Sequence, residues 1–229
     1  TYAVTDLILF NNRLFAAQGP LASIAHHDGT SSTGVWTVLP DAHEAQCFAV
    51  HDNLLWKAKG AEVKASPTGL NAAWAANTVG VGDPGTIVTA MVSHGGKLFA
   101  VKREGVFEIN YPDTYPNADE PTCNMALDFR TDKADRAWAM DWHSGFFFPG
   151  VTGIYSWQGG ILRDLWASMS EEGLELAEPA DTLLEIEQGL WMAAAGPTRG
   201  VFAALMSPHL CRSSVWYYRS QEWPPLWQE

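Results

Sequence analysis

The sequence has little basic charge and no long apolar run, and each shortage excludes a class of partner. Its 229 residues contain 14 Lys and Arg against 26 Asp and Glu, which gives a formal net charge of −12. Because nucleic-acid grooves need clustered basic side chains to neutralise phosphates, we expect no nucleic-acid partner. No apolar run approaches the roughly 18 residues of a membrane-spanning helix, so we expect no membrane insertion.

Cysteines are few, and the sequence signatures of common catalytic sites are missing. Cys47, Cys123 and Cys211 do not have the spacing of a metal site, and they do not indicate a cellular compartment. The sequence has no nucleophile elbow, no zinc-protease helix motif and no phosphate-binding loop. We therefore expect no enzyme activity, no cofactor and no metal site.

One pattern in the sequence recurs, and it is clearest in Ala90–Asn110, AMVSHGGKLFAVKREGVFEIN. Its strand residues are β-branched, aromatic or aliphatic and lie between short turn signals, which is typical of half-buried strands. Glycine suits the positive φ angles of a two-residue hairpin turn. The pattern predicts strands Met91–His94, Lys97–Lys102 and Val106–Ile109, with turns at Gly95-Gly96 and Glu104-Gly105.

Four further copies of this pattern run along the chain, at Leu7–Ile24, Cys47–Ser66, Ala139–Trp157 and Leu183–Leu205. The second residues of their first turns are Asn12, Asn53, Gly96, Gly145 and Gly189, at intervals of 41, 43, 49 and 44 residues. A period of about 40–50 residues with several strands per unit is typical of propeller blades. The sequence therefore predicts an all-β chain, a β-propeller of about five repeats of 41–49 residues.

We interpret the chain as a single β-propeller domain or a fragment of one, with repeat units of approximately 1–40, 41–88, 89–136, 137–180 and 181–229. Five repeats could close a ring alone or form part of a six- to eight-bladed ring. Both ends of the sequence have strand-like patterns, which favours the larger ring. Between the repeated strands we predict a polar turn at Ala25–Thr33, outer pieces carrying Trp36 and Trp74, and a loop at Tyr111–Arg136.

Binding residues are harder to predict than strands, because aromatic side chains also fill blade interfaces. Asp141, Trp142, His143 and Trp157 are the candidates for a glycan site, with tryptophan as stacking platform and Asp and His as hydroxyl partners. A pair of packed residues at a strand end is the alternative interpretation. For a glycoside hydrolase, which needs converging carboxylates, we would consider only Asp28, Asp83 and Asp141.

The segment VGDPGTIVTAMVSHGGKLFAVKREGVFEI (Val81–Ile109) resembles repeats of β-propeller domains in virion proteins of tailed bacteriophages, in tail, nozzle or baseplate components. This resemblance extends over the repeat units of nearly the whole chain. It implies a structural scaffold located in the virion, whose partners are other virion proteins or copies of itself. Host surface glycans are the alternative partner, and the resemblance supplies no active-site residue.

Overall fold

The computed structural model describes residues 3–29, 34–40, 43–70, 74–113, 115, 120–128, 139–142, 145–149, 154–158, 161–164, 182–186, 189–195, 200–207, 210–219 and 227–228. All regular structure in these residues is β-strand, as the sequence predicts. In the same ranges no helix has the length and apolarity needed to cross a membrane. The chain divides into two compact units, Thr1–Phe129 and Arg130–Glu229.

Unit 1 consists of three four-stranded antiparallel sheets, which we call blades 1 to 3. Blade 1 has the strand order β1 (Asp6–Phe10), β2 (Arg13–Ala17), β4 (Ala25–His27) and β5 (Thr37–Val38). Blade 2 consists of β7 (Cys47–His51), β8 (Leu54–Lys59), β9 (Glu62–Ser66) and β10 (Val79–Gly80). Blade 3 consists of β11 (Val88–His94), β12 (Lys97–Lys102), β13 (Gly105–Asn110) and β14 (Thr122–Asp128). A separate two-stranded ribbon pairs β3 (Gly19–Ser23) with β6 (Glu44–Ala45).

Unit 2 contains two further antiparallel sheets. The first has the order β15 (Met140–Trp142), β16 (Gly145–Pro149), β17 (Ile154–Gln158) and β18 (Ile161–Asp164). The second is five-stranded, with β19 (Thr182–Ile186), β20 (Gly189–Ala195), β21 (Gly200–Ser207), β22 (Leu210–Arg219) and β23 (Trp227–Gln228). These are the sheets expected from the fourth and fifth repeats.

The first hairpin turns of the three blades in unit 1 have the predicted geometry. Asn11 and Asn12 have φ angles of 47° and 59°, and Asp52 and Asn53 have 48° and 58°. Gly95 has a φ of 57°. Two successive residues with positive φ form the tight turn whose twist matches that of the flanking strands, and Asn, Asp and Gly tolerate it best. The predicted registration of the repeats on Asn12, Asn53 and Gly96 is therefore confirmed in these blades.

The outer strands differ from the sequence-based predictions in three places. Ala25–His27 is not a polar turn but the third strand of blade 1, because β3 turns aside to pair with β6. The outer strand of blade 2 is Val79–Gly80, not the segment around Trp74. In the predicted loop Tyr111–Arg136, residues 122–128 form the outer strand of blade 3. Each outer strand is fixed by pairing with its neighbour, which short-range alternation does not reveal.

Neighbouring blades are joined by hydrogen bonds between residues that lie 42 positions apart. The Phe48 amide donates to Asp6 Oδ2 at 2.7 Å, which joins blades 1 and 2. Gln46 Nε2 donates to the Val88 carbonyl at 2.6 Å, and His51 Nδ1 lies 2.8 Å from Ser93 Oγ, which joins blades 2 and 3. The first strands β1, β7 and β11 lie side by side as a result. Equivalent positions of successive repeats therefore lie next to each other in adjacent blades.

Blades 2 and 3 each bury one face of their sheet against the preceding blade of unit 1. Between blades 1 and 2, the core includes Phe10 and Phe15 of blade 1 together with Phe48, Leu55 and Trp74 of the second repeat. Between blades 2 and 3, a second core includes Trp56, Val63, Met91, Leu98 and Phe107. Burial of such side chains stabilises each interface by about 1.5–3 kcal/mol per residue. Large aromatic side chains therefore fill the inter-blade spaces, as the sequence suggests.

The connection from blade 2 to blade 3 is held by a buried lysine. Lys102 is fully buried, and its Nζ donates to the carbonyl oxygens of Val81 and Asp83 and forms an ion pair with Glu104 at 2.9 Å. Glu104 in turn accepts hydrogen bonds from the Asp83 amide and from Thr86 Oγ1. The glycine-rich segment before blade 3 is therefore tightly anchored in the structure.

Asp6 makes the stability of the blade 1–blade 2 interface dependent on pH. Burial raises the pKa of Asp6 to about 6, although the amides of Phe48 and Leu7 lower it in part. A raised pKa means that the folded state favours the protonated carboxyl. The stability that the protonated Asp6 contributes is therefore fully present below pH 4 and is lost as the pH rises through 6. We expect Asp6→Asn to gain stability relative to the wild type by about 2 kcal/mol between pH 4 and 7.

Urea unfolding of the wild type and of Asp6→Asn at several pH values measures this difference. Asp128→Asn is the matched control, because Asp128 is exposed at the end of the outer strand β14. A stability difference between wild type and Asp6→Asn that stays constant from pH 4 to 7 would contradict the assignment.

Candidate functional site

The predicted glycan residues lie in and beside the first sheet of unit 2. Asp141 and Trp142 are in β15, where Asp141 pairs with Phe146 and Trp142 pairs with Gly145. Phe146 pairs in turn with Trp157, and the two rings are 6.2 Å apart. Asp141 and Trp157 therefore share one register row with a single strand between them. His143 lies outside the described residues, and the glycan assignment for this group stays a prediction.

Two of the carboxylates considered for glycoside hydrolysis, Asp28 and Asp83, lie in different surroundings in unit 1. Asp83 Oδ1 accepts a hydrogen bond from the Gly85 amide at 2.8 Å, so this side chain stabilises its own turn. Asp28 is exposed immediately after strand β4. His26 and His27 point to opposite sides of that strand, with the His26 ring against Phe15 and the His27 ring against Trp36. In the described part of the chain, no group of three or more His, Cys, Asp or Glu residues could hold a metal ion.

A cluster of polar and aromatic side chains lies at the first hairpin of blade 2. The Tyr111 hydroxyl donates to Asp52 Oδ2 at 2.7 Å, and the Tyr111 ring lies 4.9 Å from the Trp56 ring and edge-on to His51. Tyr115 stacks on Trp56 at 5.3 Å and lies 5.9 Å from the Tyr111 ring, and its hydroxyl accepts from the Ala65 amide. We call His51, Asp52, Ser93 and Tyr111 the hairpin cluster.

The hairpin cluster contains serine, histidine and aspartate, but its geometry does not match a nucleophilic relay. His51 Nδ1 contacts Ser93, whereas Asp52 Oδ2 is 3.6 Å from His51 Nε2 and accepts its hydrogen bond from Tyr111 instead. Burial lowers the pKa of His51, with Asp52 acting in the opposite direction, so the imidazole is neutral at pH 7. The hairpin cluster therefore links blade 2 to blade 3, and it exposes the Asp52 carboxylate beside the Tyr111 ring.

A second surface stands out because it is apolar and exposed. Leu7, Leu9, Leu14, Trp36 and Val38 are 54%, 69%, 37%, 39% and 57% exposed, and we call them the apolar face of blade 1. The strand register places Leu9 opposite Leu14, and Leu14 opposite His27, whose ring packs on Trp36. Leu7 shares its row with Ala16, Ala25 and Val38. One side of the sheet therefore carries these side chains together.

The equivalent residues of blades 2 and 3 indicate the role of the apolar face of blade 1. Aligned on the first hairpin turns, Leu7 corresponds to Phe48 and Met91, and Leu14 corresponds to Leu55 and Leu98. Phe48, Met91, Leu55 and Leu98 are all at most 6% exposed, because each packs against the preceding blade. Trp74, which precedes the outer strand of blade 2 as Trp36 precedes that of blade 1, is only 9% exposed. The apolar face of blade 1 is therefore a blade-packing surface without a preceding blade in unit 1.

Sequence reasoning did not single out either of these sites. The apolar face did leave a signal, because Leu7–Phe10 is apolar on both sides of one strand, and such a strand needs cover on both faces. The pair of Asp52 and Tyr111 left no such signal, since 59 residues separate them along the chain.

Solved structures with a similar fold have varied descriptions. U3-55K matches with a TM-score of 0.59 and 14% identity over 100% of this chain and 69% of that chain. The WD40 repeats of RRP9 match with a TM-score of 0.53 and 13% identity over 93% of this chain and 62% of that chain. PorZ, a surface component of the type-IX secretion system of Porphyromonas gingivalis, matches with a TM-score of 0.58 and 16% identity over 93% of this chain and 26% of that chain.

These likenesses show the fold and nothing finer. The chain has a β-propeller fold, in agreement with the sequence repeat and the blades of unit 1. It spans 28% and 26% of the length of two of the matched structures, an extracellular domain from B. thetaiotaomicron and PorZ. No protein-family model and no curated protein matches the sequence. Unrelated functions share this fold, so function must be argued from the surface.

Proposed function

We propose that the chain is a structural component of a virus particle, a β-propeller scaffold of a phage tail or baseplate that makes protein–protein contacts. The apolar face of blade 1 carries this proposal. Exposed apolar side chains on one face of a sheet are typical of interaction sites, and here the counterparts of Leu7 and Leu14 pack against a protein surface in both following blades. The partners are other virion proteins or copies of this chain.

The virion setting rests on the sequence resemblance of Val81–Ile109, since the solved structures named above are not virion proteins by their descriptions. Its test is the protein content of virus particles purified from the source of this sequence. Peptides of this chain should be present in a fixed ratio to the other tail proteins, as measured by quantitative mass spectrometry. Absence of the chain from purified particles would contradict the virion setting.

Glycan recognition is the second candidate function, and the hairpin cluster favours it. Asp52 is exposed beside the half-buried ring of Tyr111, and carboxylates and aromatic rings are side chains that a sugar site can use for its hydroxyl and C–H groups. Asp52→Asn keeps a residue that tolerates the positive φ of this turn while removing the charge.

Binding of the full chain to an array of host surface glycans tests this second candidate. We expect Asp52→Asn to weaken a positive signal about tenfold, the effect of losing one charge-assisted hydrogen bond. The exposed Asp128→Asn should leave the signal unchanged. Absence of glycan binding by the wild type would remove this candidate.

A further inference from the structure

We propose that Lys57, Trp74 and Lys64, at the interface between blades 1 and 2, bind a small monovalent anion, and we call these residues the anion site. Lys57 and Trp74 are buried hydrogen-bond donors, and neither donor has an acceptor in the described part of the chain. Buried polar groups of proteins are nearly always hydrogen-bonded, so two unpaired donors at one place indicate a ligand that supplies the acceptor. This inference is independent of the virion setting and of the apolar face of blade 1.

Lys57 is the charged donor of the anion site. It lies in β8 on the side that faces blade 1, because it shares a register row with Phe48, which belongs to the core between these two blades. Lys57 is 2% exposed, and its Nζ lies 4.5 Å from the centre of the Trp74 ring. The face of an aromatic ring attracts a cation, but it does not replace the oxygen atoms to which an ammonium group donates its three hydrogens.

Lys102, a second fully buried lysine, shows what Lys57 lacks. The Nζ atom of Lys102 donates to the carbonyl oxygens of Val81 and Asp83 and forms an ion pair with Glu104. No such set of oxygen atoms surrounds Lys57 Nζ among the residues that the structure describes. A cation that is buried without partners lowers the stability of the fold, a cost that is typical of functional sites.

The indole N–H of Trp74 is the second donor of the anion site. Trp74 is 9% exposed, and its Nε1 is buried without a hydrogen-bond partner in the described ranges. A buried tryptophan usually has a partner for this group. Because Lys57 Nζ lies close to the same ring, the ammonium group and the indole N–H border one small region of the interface. The His43 ring, 6.2 Å from the Trp74 ring, also lies beside this region.

The charges around the anion site favour a ligand with one negative charge. Lys64 lies opposite Lys57 in the same register row, and it is half-buried. Glu44 is the nearby carboxylate that acts on Lys57, but its Oε2 already pairs with Lys59 at 2.9 Å. One negative charge would neutralise Lys57. A divalent anion would lose more hydration free energy, because the cost of burying an ion increases with its charge.

The affinity of the anion site should depend on pH, since only the protonated Lys57 attracts an anion. Burial and, secondarily, Lys64 lower the pKa of Lys57 to about 7, so most of the free chain carries the ammonium form at pH 6 and about 1% carries it at pH 9. We therefore expect binding to be about 100-fold weaker at pH 9 than at pH 6. Lys57→Met should lack this dependence, which distinguishes Lys57 from the neighbouring His43, Glu44, Lys59 and Lys64.

Bromide is the probe, because it is a monovalent anion whose position in a crystal can be found by anomalous scattering. Crystals of the full chain soaked in sodium bromide at pH 6 should show bromide in contact with Lys57 Nζ and Trp74 Nε1. In solution, urea unfolding is measured while sodium bromide replaces sodium fluoride at constant ionic strength, since fluoride holds its hydration shell more tightly. The stability of the wild type should rise with the bromide concentration, as expected for a ligand of the folded state.

Three variants test the assignment of residues in the solution experiment. Lys57→Met should fold and should lose the stabilisation by bromide. Trp74→Phe keeps an aromatic ring but removes the N–H group, so it should bind bromide about tenfold more weakly, the effect of losing one hydrogen bond to a charged group. Lys97→Met is the matched control for the loss of a positive charge, because Lys97 is exposed in blade 3 and pairs with Glu108 at 2.9 Å. It should bind bromide like the wild type.

Four results would each overturn the anion site. An equal response of the wild type and Lys57→Met to bromide, or bromide in the crystal only at other positions, would show an adventitious ion only. A loss in Lys97→Met as large as that in Lys57→Met would show general screening of charge. Equal affinity at pH 6 and pH 9 would show that Lys57 does not bind the anion.

Discussion

Replacement of Gly69 by alanine is expected to lower the free energy of unfolding by about 3 kcal/mol or more, since it combines a forced backbone conformation with overpacking. Gly69 has a φ of +72°, and a Cβ atom there would lie 2.7 Å from Phe15 Cζ and 2.8 Å from Leu55 Cδ2. Both neighbours are fully buried in the core between blades 1 and 2, so neither ring nor methyl group can move without disturbing that interface.

Gly60→Ala separates the two causes. Gly60 has a similar φ of +61°, but nothing lies within 4 Å of a Cβ built there. Gly60→Ala should therefore cost only the backbone term, about 1 kcal/mol. Urea denaturation of the two variants and the wild type gives both values. Equal losses for Gly69→Ala and Gly60→Ala would show that blades 1 and 2 pack less tightly than the structure indicates.

Replacement of Lys57 by methionine is expected to stabilise the protein. Lys57 is 2% exposed in β8, its Nζ lies 4.5 Å from the centre of the Trp74 ring, and within the described residues it forms no ion pair. Burial and, secondarily, the charge of Lys64 lower the pKa of Lys57 to about 7, with Glu44 acting in the opposite direction. The interaction with Trp74 offsets only part of the cost of burying this cation.

The sign of the pH dependence follows from the lowered pKa. The folded state favours the neutral amine. Below pH 7 the amine is protonated in both states, so the full cost of burying the cation lowers the stability. This cost decreases as the pH rises above 7 and is gone near pH 10.5. Lys57→Met should therefore raise the free energy of unfolding by about 2–3 kcal/mol at pH 6, with a smaller gain above pH 10. Methionine keeps the apolar contacts of the lysine stem, because its shape and length are similar.

Lys64→Met is the control for the loss of one positive charge, since Lys64 lies opposite Lys57 in the same register row but is half-buried. Thermal and urea unfolding at pH 6 and pH 10 provide the comparison. If Lys57→Met destabilises the protein at pH 6, Lys57 makes a favourable charged interaction that outweighs its burial, and our interpretation of this interface is wrong.

The repeated strands could be predicted from the sequence because the hairpin turns have a strict chemical requirement. Positive φ at two successive positions restricts Asn11-Asn12, Asp52-Asn53 and Gly95-Gly96 to residues that accept it, so the turns mark each repeat. The outer strands could not be predicted as well. Thr37–Val38 and Val79–Gly80 are only two residues long, which is too short for an alternating pattern to be recognised.

The candidate sites were less predictable than the fold, for a physical reason. Whether Leu7 is a core residue or an exposed one depends on the presence of a neighbouring blade and not on its own strand, which looks like the strands of Phe48 and Met91. The hairpin cluster likewise forms only when blade 3 brings Ser93 and Tyr111 to the first turn of blade 2. A strand pattern records the local alternation, whereas these sites are created by the packing between repeats.

The most direct test of the scaffold account is the reactivity of a cysteine at position 9 towards a maleimide reagent. Leu9→Cys should react rapidly in the dilute isolated chain and should be protected in virus particles, whereas the control Leu21→Cys should react in both. The wild-type chain gives the background from its own cysteines, of which Cys47 is buried and Cys123 half-buried. Equal labelling of Leu9→Cys in the isolated chain and in particles would show that the apolar face stays uncovered, and would contradict the account.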